Sequence, residues 1–305
     1  MKTIIIFIMI FVSFLYGILV GRYQYPPFHL IKNLKNFIIS EAVSISEISP
    51  SKLSLTKFKR CNIPKTSVIN NNSTVFVGHA YGSHSSTAES FLSPHVEKFI
   101  KMNSSKLNLL VFTGDVFSVP SLEKWKKLRN IADRKLDILI APGNHDVGRP
   151  DSNNIFKISE FGKQTYPIIT NLNNVPLILE NSVQSEWLVS QSTMDLVNSI
   201  EEDISTILIA RHHTPIRELV SLTNVVSFGS KYLDSVDKLS QKFNQNQKYY
   251  WIIGDSGADH LPRLSCLKFK NHIFLINGLG ELEGDSILIY HNKEFYEYTL
   301  KPIEN

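Results

Sequence analysis

Three stretches between residues 74 and 146 share one plan. TVFVGH (74–79), LNLLVFTGD (107–115) and LDILIAPGNHD (136–146) each run through four to six apolar residues, rich in β-branched types, and then stop in glycine and polar side chains. An apolar run of that length, without alternation, reads as a strand buried on both faces. Between the runs, residues 89–103 (ESFLSPHVEKFIKMN) and 121–135 (SLEKWKKLRNIADRK) repeat apolar positions at spacings of three and four, as on the core face of an amphipathic helix. The order strand, helix, strand, helix predicts a layered α/β domain. In such folds ligands gather outside the carboxyl ends of the strands, so the polar strand ends should converge.

The rhythm continues. VPLILEN (175–181), STILIARHHTP (205–215) and YYWIIGDSGAD (249–259) read as further buried strands, with a helix expected over SEWLVSQSTMDLVNSIEED (185–203). LSCLKFK, NHIFLINGLGE, SILIYHN and EFYEYTL then read as strands on short connections, which adds antiparallel pieces to the crossovers.

The composition removes several functions. With 32 basic and 28 acidic residues the net charge is only +4, and no Lys/Arg block interleaves with aromatics, so a nucleic-acid partner is not expected. Cys61 and Cys266 form no CxxC pair, which argues against a cysteine-built zinc or redox site. They either form one disulfide in an exported domain or remain unrelated thiols. GDSGAD lacks the Gly-x-Ser-x-Gly elbow of a serine hydrolase, and GLGE lacks the spacing of a phosphate loop.

Five strand ends supply side chains suited to metal and proton chemistry: His79, Asp115, Asn144 with His145 and Asp146, His212 with His213, and Asp255. GNHD is the most specific of these. Its glycine permits close approach, its asparagine offers a neutral oxygen ligand, and its imidazole can hold or move a proton.

GD at 114–115, GNHD at 143–146 and HHTP at 212–215, in that order, resemble the calcineurin-like metallophosphoesterases, over roughly residues 74–290. The resemblance implies an α/β (α+β) fold, a four-layer α/β/β/α sandwich that holds divalent ions such as manganese, iron or zinc at its strand ends and hydrolyses phosphate esters. It implies Asp115 as the carboxylate shared by two ions, and Asn144 and His212 as ligands of the second. His213 is the alternative to His212, because Thr214 adds one residue before Pro215. His145 matches the histidine that protonates the leaving oxygen.

Both ends of the pattern are changed. The family's first strand ends in Asp-x-His, and here His79 and Tyr81 stand there; its closing Gly-His-x-His is replaced by Asp255 and Gly257. Asp115, Asn144, His212 and Asp255 therefore make a full set for the second ion, whereas the first retains only Asp115 and His79. His84, Asp259 or His260 would have to complete it. Tyr81, Arg211 and His213 are expected at the substrate, with Arg217 also flanking the histidines. The expected activity is hydrolysis of a phosphate mono- or diester with one or two ions. A domain that only binds a phosphorylated ligand or protein partner is the alternative.

Residues 4–20 (IIIFIMIFVSFLYGILV) carry no charge and as a helix would rise roughly 25 Å, enough to approach the width of a bilayer's hydrocarbon core. No small-x-small cleavage site follows, so a single-pass anchor over residues 1–22 is expected rather than a cleaved signal peptide. A stalk over 23–72 and the catalytic domain over 73–305, outside the cytoplasm, complete the expected layout. Phosphorylated lipid or cell-envelope glycan would be within reach of such a domain.

Overall fold

The computed structural model describes Tyr16 and residues 55–82, 91–222, 233–256, 264–280 and 284–300. The chain divides into two units, Met1–Leu53 and Ser54–Asn305, and every element below belongs to the second. The expected anchor lies, Tyr16 apart, outside the described residues. Among the described residues no helix is long and apolar enough to cross a membrane.

Among the described residues thirteen strands form two sheets. One has the order β2 (Lys65–Thr66), β13 (Glu294–Thr299), β12 (Ser286–His291), β3 (Ser73–Val77), β4 (Leu107–Phe112), β5 (Asp137–Ile140). The other runs β1 (Lys59–Arg60), β10 (Leu264–Phe269), β11 (His272–Asn277), β9 (Lys248–Ile253), β8 (Thr206–Arg211), β7 (Val175–Leu179), β6 (Ile168–Leu172). The centre of each sheet is parallel: β3 with β4 and β5, and β11, β9, β8 and β7 in register.

The lack of alternation in the strands has a direct cause: each central strand feeds two cores at once. Along β4, Leu110 and Phe112 point to the helices α1 (Pro94–Asn103) and α2 (Leu122–Ile131), while Leu109 and Val111 point to the opposite sheet. Along β8, Ile207 and Ile209 face α5 (Gln191–Asn198) and α6 (Val236–Gln241), while Leu208 and Ala210 meet the first sheet. Three apolar layers thus separate helix, sheet, sheet and helix, the α/β/β/α order that the resemblance implied. Two short helices, α3 (Asn144–Val147) and α4 (Pro150–Ile158), follow β5.

The structure departs from the sequence reading in three places and decides a fourth point that the sequence left open. The helix expected from residue 185 begins only at Gln191, because the Ser190 side chain caps it by accepting the Thr193 N–H, and Glu186 and Trp187 adopt positive φ. Strand β6 was not expected, and it forms a hairpin with β7 across Asn173 and Asn174, both at positive φ, as a tight two-residue turn requires. The stalk contributes the edge strands β1 and β2. Finally, Cys61 and Cys266 form a disulfide that joins β10 to the segment after β1, which decides between the two readings of the thiols.

The two sheets come into backbone contact at the end where β3, β4, β9 and β11 terminate, and glycine makes this possible. A Cβ on Gly254 would lie 1.8 Å from the Thr113 carbonyl oxygen, and one on Gly78 would lie 2.3 Å from that of Asn277. Backbone therefore packs on backbone, and the polar residues that follow each strand are brought together from both sheets.

Candidate metal centre

Asp115 stands at the middle of this end of the sandwich. It follows Gly114, and both have positive φ, which turns the carboxylate back across the strand ends. Asp146 locks the turn by accepting the N–H groups of Asp115 (2.8 Å), Val116 (3.1 Å) and Gly143 (2.9 Å). The loops after β4 and β5 are therefore one hydrogen-bonded unit. Asp115 Oδ1 accepts the His145 N–H at 2.9 Å, and a side chain at Gly143 would collide with that oxygen.

Asp115 Oδ2 faces three imidazoles. The Nε2 atoms of His212, His79 and His145 lie 3.4, 3.7 and 3.9 Å from it. Hydrogen bonds fix which nitrogen each ring presents. His212 Nδ1 donates to the Thr113 carbonyl at 3.0 Å and His145 Nδ1 to that of Ser118 at 2.8 Å, so each turns Nε2 inward. His212 Nε2 is fully buried and has no hydrogen-bond partner, with Asp255 Oδ1 4.0 Å away. On the far side His213 Nε2 sits 3.2 Å from Asn144 Oδ1. His212, His213 and Asp255 can all offer a ligand atom to one point.

Two ligands, each about 2.1 Å from a tetrahedral ion, are separated by about 3.4 Å. The His212–Asp115 and His213–Asn144 distances match that spacing, and a divalent ion there would displace the proton that Asp115 holds on His212 Nε2 and take that nitrogen's lone pair. These residues fit the second ion of the family pattern. Asp115, Asn144, His212 and Asp255 are brought together as expected, and His213 stands among them rather than at the mouth of the site.

The electrostatics favour a cation. Burial works against a charge on His212, yet Asp115 and then Asp255 hold its pKa up, to about 9. Burial alone would also raise Asp115, but the imidazoles of His212, His145 and His79 hold it well below the carboxylate range. His213, buried and beside His212, lies well below an ordinary histidine and so stays neutral.

Arg211 is a correction to the sequence reading. It was expected at the substrate, but its side chain is fully buried and every donor group is engaged. Nη1 pairs with Glu180 Oε2 at 2.7 Å, Nε donates to the His213 carbonyl at 2.7 Å, and Nη2 donates to the carbonyls of Trp187 and Leu188. The guanidinium builds the wall behind His213. Arg217 is exposed at the start of the next turn, and His84, Asp259 and His260 lie outside the described residues. Tyr81 is buried beside His79 instead of lying open to ligand.

The end of β7 contributes what sequence reasoning missed. Ser182 Oγ accepts the His213 N–H and lies 3.1 Å from His213 Nδ1, and the Trp187 indole stacks on the His213 ring with centroids 4.5 Å apart. Glu180 ties this wall to the helix α5 by accepting the Ser190 N–H. The one signal in the sequence was VPLILEN itself, an apolar strand ending in polar residues like the others.

No family model and no curated protein sequence matches the chain. Solved structures to which the chain is similar include the following two. One is a 5'-nucleotidase from Candida albicans SC5314, at 14% identity and a TM-score of 0.40, over 78% of this chain and 53% of that one. The other is phosphopantetheinyl hydrolase from Mycobacterium tuberculosis, at 9% identity and a TM-score of 0.44, over 78% of this chain and 99% of that one. The chain thus spans about half the length of the nucleotidase.

Proposed function

We propose that the protein is a metal-dependent phosphoric ester hydrolase. The observation that carries this reading is the buried, unpartnered His212 Nε2 set against Asp115, with Asp255, Asn144 and His213 closing the same point. A divalent ion held there, manganese, iron or zinc, supplies Lewis acidity to a phosphoryl group and lowers the pKa of an attacking water. The chain's own residues do the rest. Asp115 is locked in place by the His145 N–H, and Asp146 fixes the turn that aims it. His145, the most accessible of these histidines, directs Nε2 into the centre and as an imidazolium gives that proton to the departing alkoxide oxygen.

The N-terminal apolar run supports a membrane-anchored form. The Cys61–Cys266 disulfide supports placing the domain in an oxidising compartment outside the cytoplasm, where phosphorylated lipid or envelope glycan is within reach. A second reading, a domain that binds a phosphorylated ligand or protein partner without turnover, draws on the contact between Tyr81 and His79, which occupies the His79 nitrogen standing where the family pattern has a metal-binding carboxylate.

Hydrolysis of p-nitrophenyl phosphate and bis(p-nitrophenyl) phosphate, with manganese, iron or zinc supplied, separates the two. Turnover that falls at least about 100-fold in Asp115→Asn supports the hydrolase. Equal background rates in both proteins support the binder.

A further inference from the structure

The turn after β3 ends in two rings that face each other. His79 takes φ +53° and Gly82 φ +77°, and the Gly82 N–H closes the curl on the His79 carbonyl at 2.8 Å. The Tyr81 ring comes within 4.4 Å of the His79 ring, centroid to centroid, and its hydroxyl reaches 3.0 Å from Nε2. His79 Nδ1 lies 3.1 and 3.2 Å from the carbonyl oxygens of Gly82 and Leu279. Carbonyls only accept, so Nδ1 carries the proton, and the lone pair on Nε2 receives the Tyr81 O–H.

That lone pair is the one a first ion would need. Nε2 and Asp115 Oδ2 are 3.7 Å apart, near the spacing of about 3.4 Å for two ligands of one ion. The backbone therefore still presents the two atoms at a suitable separation, and the phenol hydroxyl covers one of them. Tyr81 cannot swing aside freely. It is fully buried, with its ring also 5.3 Å from that of His145.

Given the metal centre proposed above, the geometry points to a mononuclear site: the Tyr81–His79 hydrogen-bonded pair closes the first-ion position, and the chain holds a single divalent ion at Asp115, Asn144, His212, His213 and Asp255. The neutral pair takes the place of an ion and its carboxylate. His79 is then a positioning residue, holding Tyr81 rather than coordinating metal.

The test is metal stoichiometry, by elemental analysis and calorimetric manganese titration, on the full chain and two variants. Wild type is expected to take up one manganese ion per chain. Tyr81→Phe removes only the hydroxyl and uncovers His79 Nε2, so it should show a second, weaker uptake absent from wild type. The double variant His79→Asp, Tyr81→His rebuilds Asp-x-His and should take up two. Position 79 tolerates this exchange, because aspartate accepts the left-handed backbone there. Two ions in wild type would overturn the inference and leave the metal centre standing, whereas none would overturn the metal centre itself. Uptake of one ion by Tyr81→Phe and by a folded double variant would also overturn it. Should the double variant not fold, Tyr81→Phe against wild type decides.

Discussion

Replacing Glu180 with glutamine tests whether Arg211 is a wall or a substrate ligand. The Arg211 side chain is 0% exposed and that of Glu180 2%, with Nη1 and Oε2 2.7 Å apart. The substitution removes the counter-charge while keeping the size, so a guanidinium is left buried with carbonyl partners alone. Breaking a buried pair from one side costs about 3–5 kcal/mol, and glutamine's remaining oxygen places this case near the lower figure. At about 2–4 °C per kcal/mol for a domain of this size, the melting temperature should drop by about 6–12 °C. The assay is thermal unfolding followed by circular dichroism, with urea unfolding alongside. Exchanging both partners, Glu180→Gln with Arg211→Met, should recover part of the loss, because the stranded charge is gone. A Glu180→Gln protein as stable as wild type, with KM for a phosphate ester raised, would show that Arg211 serves substrate and that the structural role is misassigned.

Three more outcomes follow from the same geometry. His272 is buried against Trp251, whose indole N–H it accepts at 3.1 Å, and burial lowers its pKa to about 4. The unfolded chain therefore binds the extra proton between about pH 6.5 and 4, stability falls as pH falls through that window, and the full loss is about 3 kcal/mol; unfolding of wild type against His272→Asn at pH 7 and pH 4 should reveal it. Trp187→Ala should weaken manganese binding about 10-fold or more by freeing the His213 ring, with Trp187→Phe restoring much of it; equal affinities in titration would remove Trp187 from this role. Finally, the carboxylates of Asp115 and Asp255 cancel the charge of a single divalent ion, and Glu180 cancels Arg211, so a singly charged diester should be turned over more readily than a doubly charged monoester; a higher kcat/KM for p-nitrophenyl phosphate than for its bis ester would contradict that.

Much of the fold was legible because the three-core sandwich writes itself into the strands. β4, β8 and β9 must be apolar on both faces, and LNLLVF, TILIA and YYWII show it. Edge strand β6 was not legible: its IITNL has an exposed face and carries too weak a pattern. Nor does the sequence tell that β11 and β12, joined by a short connection, lie in different sheets. The site was legible as a set of strand ends, since glycine followed by Asp, Asn or His marked four of them. What each side chain faces was not. Arg211 and His212 continue the alternation of β8, one turning toward Glu180 and the other toward Asp115, but which of the two faces meets the site shows only in the packing of the sheets. Tyr81 could be read as ligand or phosphate donor until the carbonyls of Gly82 and Leu279 fixed the proton on His79 Nδ1.

The measurement closest to the central claim is anomalous diffraction from crystals grown with manganese. The account predicts one anomalous peak at the strand ends, in contact with Asp115, Asn144, Asp255 and at least one of His212 and His213, and lost in Asp115→Asn. A well-ordered centre with no peak there at saturating manganese would contradict it.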